Sequence, residues 1–360
     1  MEESTVSLEG KRVLITGGTG SLGKVLLSRL LTGEAGQPAK IVIFSRDEAK
    51  QHEMRLEYLH APAATDEVIY DNFRRAVAFR IGDVRDYGSL ADALRCADVV
   101  FNAAALKQVP TCEYFPLEAV RTNVLGPSNL VRAICELNLP VETVVGISTD
   151  KACKAVNAMG MTKALQERVF ISANLARTST RFICVRYGNV LASRGSVIPL
   201  FHDQIRRGGP VTITSPEMTR FLLSLDDAVS LIFAAVAEAG AGETYVPKVP
   251  AARVADIAAA LIGDRQVETK VIGIRPGEKV HEILISEEEC WRTVSRGTRY
   301  VVLPALPELK KEEPASVAVL GREYSSKDEL VPKDEVRALL ERNGLLVEQV
   351  AAASTRELLR

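Results

Sequence analysis

The sequence predicts an α/β protein built on a doubly wound parallel sheet, with a smaller C-terminal α/β lobe. Three observations carry that expectation. Apolar runs rich in Val and Ile alternate with helical patterns through the first half, a glycine triplet follows the first run, and the alternation breaks near residue 190. Strands that are apolar on both faces and spaced by helices belong to parallel sheets covered by right-handed crossovers. The expected division is 1–190 for the sheet domain and 191–360 for the second lobe, some of whose segments return to the first.

The elements follow in order. "RVLITG" reads as a buried strand and "LGKVLLSRLL" as the helix returning from it. "KIVIFSR" is the second strand, and "EAKQHEMRLEYL" a helix. "RAVAFRIGD", "DVVFNAAA", "ETVVGISTD" and "TRFICVRYGNV" give four more strands. "PLEAVRTNVLGPSNLVRAICELN" and "NAMGMTKALQERVFISANLA" are long helices among them. Beyond residue 190 the segments are shorter and mixed, and 304–330 is rich in proline and charge and reads as irregular. "PKDEVRALLERNGL" predicts a terminal helix with Pro332 near its first turn.

Composition narrows the function. The chain of 360 residues is 47% hydrophobic and 25% charged, with a net charge of −1. No basic run suggests nucleic acid, and no apolar stretch approaches a membrane span. The polar N-terminus lacks a signal-peptide pattern, so a cytoplasmic enzyme is expected. Six cysteines without a CxxC pair read as reduced thiols, and four scattered histidines argue against a metal site. His202 and His281 are expected on a cleft wall or the surface, and Glu113 as a first-turn acid of its helix.

Gly17, Gly20 and Gly23 fall between the first strand and the first helix. At a strand-to-helix turn this spacing lets backbone amides approach a pyrophosphate, the signature of a Rossmann dinucleotide site. Ser45 and Arg46 end the second strand. Arginine suits a 2'-phosphate, which favours NADP, while Asp47 keeps NAD open. Asp83 and Val84 are candidates to hold the adenine, and Asn102, Ala103 and Ala104 to leave room for the cofactor.

Together these motifs resemble the extended short-chain dehydrogenase/reductase superfamily. Asn123, the "STD" that ends the fifth strand and Lys163 on the next helix continue that pattern in order. "AAALKQVPTCEYFPLEAVRTNVLG", "STDKA", "NAMGMTK", "RYGNVLASRGSVIPLF", "MTRFLLSLDDAV" and "RPGEK" are similar to the inverting UDP-N-acetylglucosamine 4,6-dehydratases of surface-glycan pathways. The resemblance spans roughly residues 10–345 and is strongest to the soluble branch carrying Met in place of Tyr, here Met159. It implies a UDP-sugar substrate, a recycled NADP, a homo-oligomer, and cofactor contacts that also include Thr19, Ser21, Leu22, Lys107, Tyr187, Asn189 and Val190.

The implied reaction oxidises C4, eliminates water across C5 and C6, returns the hydride to C6 and inverts C5. By resemblance Lys151 is the C5 base, Asp150 the acid for the departing C6 hydroxyl, and Lys163 a ligand of the nicotinamide ribose. A thioether takes no proton from the C4 hydroxyl, so Asp150 is expected to accept it, directly or through Thr149 or a water, and Met159 to pack against nicotinamide or sugar. Lys107, Asn189, Arg194, Ser196, Val197, Arg220, Arg275 and Glu278 are candidates for the nucleotide diphosphate and sugar, with Lys279 completing the "RPGEK" clamp. Two other readings stay open: a 4-epimerase or ketoreductase of the same superfamily, and a cofactor-holding regulator without catalysis.

Overall fold

The computed structural model describes residues 8–59, 67–176, 178–191, 196–310 and 318–350, side chains at 67–70 excepted. The chain runs through β1 (Arg12–Thr16), α1 (Ser21–Leu31), β2 (Lys40–Ser45), α2 (Glu48–Leu59), α3 (Glu67–Ala76) and β3 (Val77–Ile81). Next come α4 (Tyr87–Leu94), β4 (Val99–Asn102), α5 (Val109–Tyr114), α6 (Pro116–Val120), a π-helical turn at Arg121–Leu125 and α7 (Gly126–Glu136). A second group is β5 (Thr143–Thr149), a 3-10 turn at Asp150–Ala152, α8 (Ala158–Ala173) and β6 (Arg181–Tyr187).

The later part supplies α9 (Val197–Arg206), β7 (Val211–Ile213), β8 (Thr219–Phe221), α10 (Leu225–Glu238), β9 (Thr244–Pro247), β10 (Ala251–Arg253) and α11 (Val254–Ile262). Then follow β11 (Thr269–Val271), β12 (Ile283–Ile285), α12 (Glu287–Cys290), β13 (Thr293–Arg296), β14 (Arg299–Val302), β15 (Tyr324–Ser325) and α13 (Lys333–Arg342).

The main sheet has nine strands in the order β3-β2-β1-β4-β5-β6-β9-β14-β13. The first seven of that order are parallel, and β14 and β13 close the far edge antiparallel. The sequence marks six of these strands; β9, β13 and β14 come from the later part and join the same sheet. Order reverses between β1 and β4, and such a switch point opens a crevice at the strands' C-terminal ends.

Alternation along β1 shows why both faces are covered. Val13 and Ile15 enter a core shared with α1 and α10, while Leu14 enters one shared with α4, α7 and α8. On α1 the buried residues Gly23, Leu26, Leu27, Leu30 and Leu31 recur at helical spacing. A third core lies among α9, α11 and α13 and holds the second lobe together. Buried His202 belongs there, with Nε2 at 2.8 Å from the Leu345 carbonyl oxygen, and not to a cleft wall or the surface as its sequence position suggests. Two helices that the sequence reading leaves unmarked, α3 and α4, complete the cover of the parallel half. Asp86 starts α4 by accepting the Ser89 amide at 2.6 Å.

Candidate active site

The crevice begins at the glycine turn. Gly17 has φ of 66°, and a Cβ there would lie 2.7 Å from the Ala104 backbone. A Cβ on Gly23 would lie 2.2 Å from the Gly18 oxygen, so α1 packs on its own turn only without a side chain. Gly20 precedes α1 and offers no side-chain cap, and the first turn carries no acid. Thr19 and Ser45 hydroxyls meet at 3.0 Å, closing the ends of the turn and β2 together. Thr16 bonds Asn102 Oδ1 at 2.9 Å, while Asn102 Nδ2 is buried without a hydrogen-bond partner. Close backbone approach, uncapped amides and an orphaned donor fit a dinucleotide. Arg46 stands 57% exposed at the end of β2, 3.7 Å from Asp83. Burial would raise Asp83, yet hydrogen bonds from Arg85 bring its carboxyl below the usual range. Val84 is buried against Gly126, where a Cβ would come within 2.9 Å of it.

Proton-transfer groups gather where β5 ends. Asp150 is fully buried, and its Oδ1 accepts the Thr149 hydroxyl at 2.8 Å and the Lys151 ammonium at 3.1 Å. Lys151 also reaches Glu282 Oε1 at 3.2 Å and Asn189 Oδ1 at 3.4 Å. The two carboxylates are 0% and 2% exposed, whereas the lysine keeps 22%. Asp150 Oδ2 and Glu282 Oε2 are both buried without partners. A Cβ on Gly188 would come within 3.2 Å of Asp150 Oδ2, so glycine keeps that oxygen uncrowded. Burial raises the Asp150 carboxyl, Lys151 opposes it, and the direction is up. Burial would lower Lys151, but Asp150 and Glu282 outweigh it and hold the ammonium charged. Glu282, which burial would raise, is lowered by Lys151 and Arg220. Lys151 lies between the two carboxylates and Arg220 faces Glu282 alone, so Asp150 is the member that resists its charge.

Glu282 is the residue the sequence reading missed. A faint signal was present: an acid directly before the apolar strand "ILI" is uncommon unless paired. Its partner lies 131 residues upstream, beyond any local pattern. Ser326 helps seat it, donating and accepting with the Glu282 backbone through bonds of 2.9 and 2.8 Å.

The helix after the turn carries two of the sequence candidates, Met159 and Lys163. Met159 is buried beside Cys112, Ala119, Leu106 and Val109, a core position under α5 and α6. Lys163 is buried, and its ammonium donates to the Ile147 carbonyl and to Gln166. Burial lowers it to about 8. One of its three donors thus serves the sheet and one its own helix, and ribose binding would use the third. Asn123 bridges Leu106 and Thr162, fixing the turn after β4 to α8. Tyr187 is buried at the end of β6, and burial raises its phenol.

Around these groups lie the other sequence candidates. Ala103 and Ala104 follow β4, with exposed Lys107 beyond them. Val190 bridges Leu223. Ser21 and Leu22 open α1, and Ser196 and Val197 open α9; the Ser196 hydroxyl is buried without a partner. Arg220 spends donors on the Thr219 and Val280 carbonyls and lies 3.8 Å from Glu282. The 275–279 loop is tied to the turn after β5: Asn157 donates to the Gly277 oxygen at 2.8 Å, and Lys279 to the Cys153 oxygen at 2.6 Å. Within it the Arg275 amide donates to Glu278 at 3.3 Å. Glu113 receives the Ala158 amide at 2.6 Å, so it serves the start of α8 and not that of its own helix. His281 shares a 2.8 Å bond with Thr219. Arg194 lies outside the described residues.

Comparison with known proteins agrees with this architecture. A model of the family described as "Polysaccharide biosynthesis protein" matches residues 13–304. Curated proteins named UDP-glucose 4-epimerase are similar: that of Rickettsia bellii is 47% identical over 295 residues, covering 81% of this chain and 82% of its own. That of Rickettsia conorii is 48% identical over 284 residues, covering 78% and 79%. Among solved structures, Pen from Bacillus thuringiensis aligns with a TM-score of 0.81 and 33% identity over 93% of this chain and 99% of its own. A dTDP-glucose 4,6-dehydratase from Streptomyces venezuelae, solved with NAD and TYD, shares the fold at a TM-score of 0.62 and 21% identity, covering 75% and 86%. The chain belongs to the polysaccharide biosynthesis protein family. Its fold is that of the extended short-chain dehydrogenases/reductases, among sugar-nucleotide epimerases and dehydratases.

Proposed function

We propose that this protein is an inverting 4,6-dehydratase acting on UDP-N-acetylglucosamine. The observation that carries the reading is the buried acid-amine cluster at the end of β5, in a chain with methionine where tyrosine-dependent relatives place their phenol. A 4-epimerase needs one acceptor for the O4 proton; an elimination needs an acid and a base as well. Bound NADP supplies the hydride acceptor at C4 and the donor at C6. Gly17, Gly20 and Gly23 would hold its pyrophosphate, and Arg46 its 2'-phosphate. The 2.8 Å bond from Thr149 to Asp150 gives the O4 proton a route to a carboxyl whose affinity for protons is already raised. Asp150 then hands that proton to the departing C6 oxygen, and Lys151 takes the proton from C5. Arg220, Arg275 and Glu278 would face the nucleotide, with Lys107, Asn189, Ser196 and Val197 nearer the sugar.

The second reading, UDP-sugar 4-epimerase, is favoured by the names of the rickettsial relatives. Incubation with UDP-N-acetylglucosamine in D2O separates the two. A C6 methyl product with deuterium at C5 is expected. A C4 epimer without solvent deuterium would establish the epimerase instead. Asp150→Asn is expected to cut turnover at least 100-fold while nucleotide binding, read by calorimetry, persists.

A further inference from the structure

We propose that Lys279 and Asn157 are positioning residues. They tie the turn bearing Asp150 and Lys151 to the loop bearing Arg275 and Glu278, so that a nucleoside diphosphate seated on the loop sets the geometry of the turn. The nucleotide part rests on the function proposed above, while the tie itself rests on geometry alone.

Loop and turn meet through two hydrogen bonds. Lys279 Nζ donates to the Cys153 carbonyl oxygen at 2.6 Å, and Asn157 Nδ2 to the Gly277 oxygen at 2.8 Å. One donor comes from each segment, so the two bonds lock the segments reciprocally. Burial lowers the Lys279 ammonium, while the fields of Glu282 and Asp150 act against that. A charged donor bonds a carbonyl more strongly than a neutral one, and more so where water is partly excluded.

Cys153 is an effective point to hold. Its amide donates to the Asp150 carbonyl at 3.1 Å, which closes the 3-10 turn. Lys279 therefore grips the residue that ends the turn. The next residue, Lys154, has φ of 46°. A residue with a Cβ keeps that left-handed backbone only where its surroundings impose it. Asn157 then does two jobs: Oδ1 caps α8 by accepting the Gly160 amide at 2.8 Å, and Nδ2 reaches the loop. The helix it starts is pressed onto the turn, since a Cβ on Gly160 would lie 2.1 Å from the Lys151 oxygen. Gly277 approaches as closely from the other side. Its φ is 79°, and a Cβ there would lie 3.2 Å from the Asn157 Cβ.

On the loop, Arg275 is exposed and Glu278 half-buried. The Arg275 amide donates to the Glu278 carboxylate at 3.3 Å, and the Glu278 amide to the Arg275 oxygen at 3.1 Å. A ligand that engages either side chain thus restrains the loop as one piece. Lys279 follows Glu278 directly and passes that restraint to Cys153. Arg275 and Glu278 serve the nucleotide; Lys279 serves the turn.

Three variants test this on the full chain with bound NADP. Lys279→Met keeps the stem and removes the donor, and Lys279→Arg restores a donor. Asn157→Ser keeps a capping oxygen for α8 and removes the amide that reaches Gly277. With UDP-N-acetylglucosamine, kcat should fall about 10-fold in Lys279→Met and in Asn157→Ser, with KM and the calorimetric affinity for UDP alone held within about twofold. Lys279→Arg should recover most of the rate. Hydrogen exchange reads the tie without catalysis: saturating UDP should slow amide exchange across residues 150–157 in the wild type and not in Lys279→Met. Weakened UDP binding with kcat intact in Lys279→Met would make Lys279 a ligand of the nucleotide and overturn the proposal. So would no recovery in Lys279→Arg, or UDP protection of 150–157 that is absent from the wild type or survives in Lys279→Met. If the wild type forms a C4 epimer or no product at all, the dehydratase reading falls, and the exchange measurement still decides the tie.

Discussion

At the scale of single residues, the site works by burying charge where water cannot compensate. Asp150, Lys151 and Glu282 shift one another's proton affinity because none is fully solvated. Lys163 shows the same physics differently: with no carboxylate in contact, burial lowers it to about 8. The fold therefore carries a penalty for charging Lys163 that applies in full below pH 8 and vanishes as pH rises to the unfolded value of 10.5. The span corresponds to about 3 kcal/mol. In urea unfolding, the wild type should gain roughly that much relative to Lys163→Met between pH 8 and 10.5. The hydrogen bonds lost in the variant add an offset that does not change with pH. A parallel pair of curves would show that Lys163 is not held near neutrality.

At the scale of elements, a buried ionic network ties the later part of the chain to the sheet. Arg186 on β6 lies between Glu167 on α8 and Glu289 on α12, with bonds of 2.6 and 2.7 Å. Ser148 on β5 donates to Glu167. The network holds α12 in place, and α12 follows directly on β12, the strand that Glu282 precedes. Burial alone would raise Glu289, but Arg186 holds it at about 2. Its contribution is present above about pH 4.5 and fades as pH falls toward 2. Glu289→Gln should cost about 3 kcal/mol at pH 7, because the arginine is left partly unpaired in the core. The gap from wild type should narrow in acid. Equal stability at pH 7 would mean that the network contributes nothing.

At the scale of the whole molecule, the helices α5, α6 and α8 pack together and leave large apolar side chains outside. Tyr114 is 83% exposed, Phe115 60% and Leu117 69%, with Met161 and Leu165 about half exposed on α8. We propose that a second copy of this chain covers this face, in keeping with the homo-oligomer that the sequence resemblance implies. Light scattering should report a dimer or larger assembly, and Leu117→Asp with Phe115→Asp should reduce it to monomer. A wild-type monomer at micromolar concentration would refute the proposal. Among the described residues no helix is long and apolar enough to cross a membrane.

Much was legible before any coordinates. The glycine turn announces itself because its three residues are adjacent in sequence and their chemistry is local. Asp150 and Lys151 are legible for the same reason, as neighbours at the end of an apolar run. Repeating Val-rich strands announce the parallel half, since each is buried on both faces. Met159 was legible as a missing phenol, but not as a core residue, because one position of helical phase decides which way it faces.

What required the tertiary structure were meetings between distant segments. β9, β13 and β14 join the first sheet because its far edge needs partners, which no local pattern specifies. Glu282 meets Lys151, and Arg186 meets Glu289, across 131 and 103 residues. Local sequence sets which residues can bend, bury or ionise, through sterics and hydrophobic periodicity. Which charges finally share a buried space depends on chain topology, and only there does the electrostatics that shifts their protons arise.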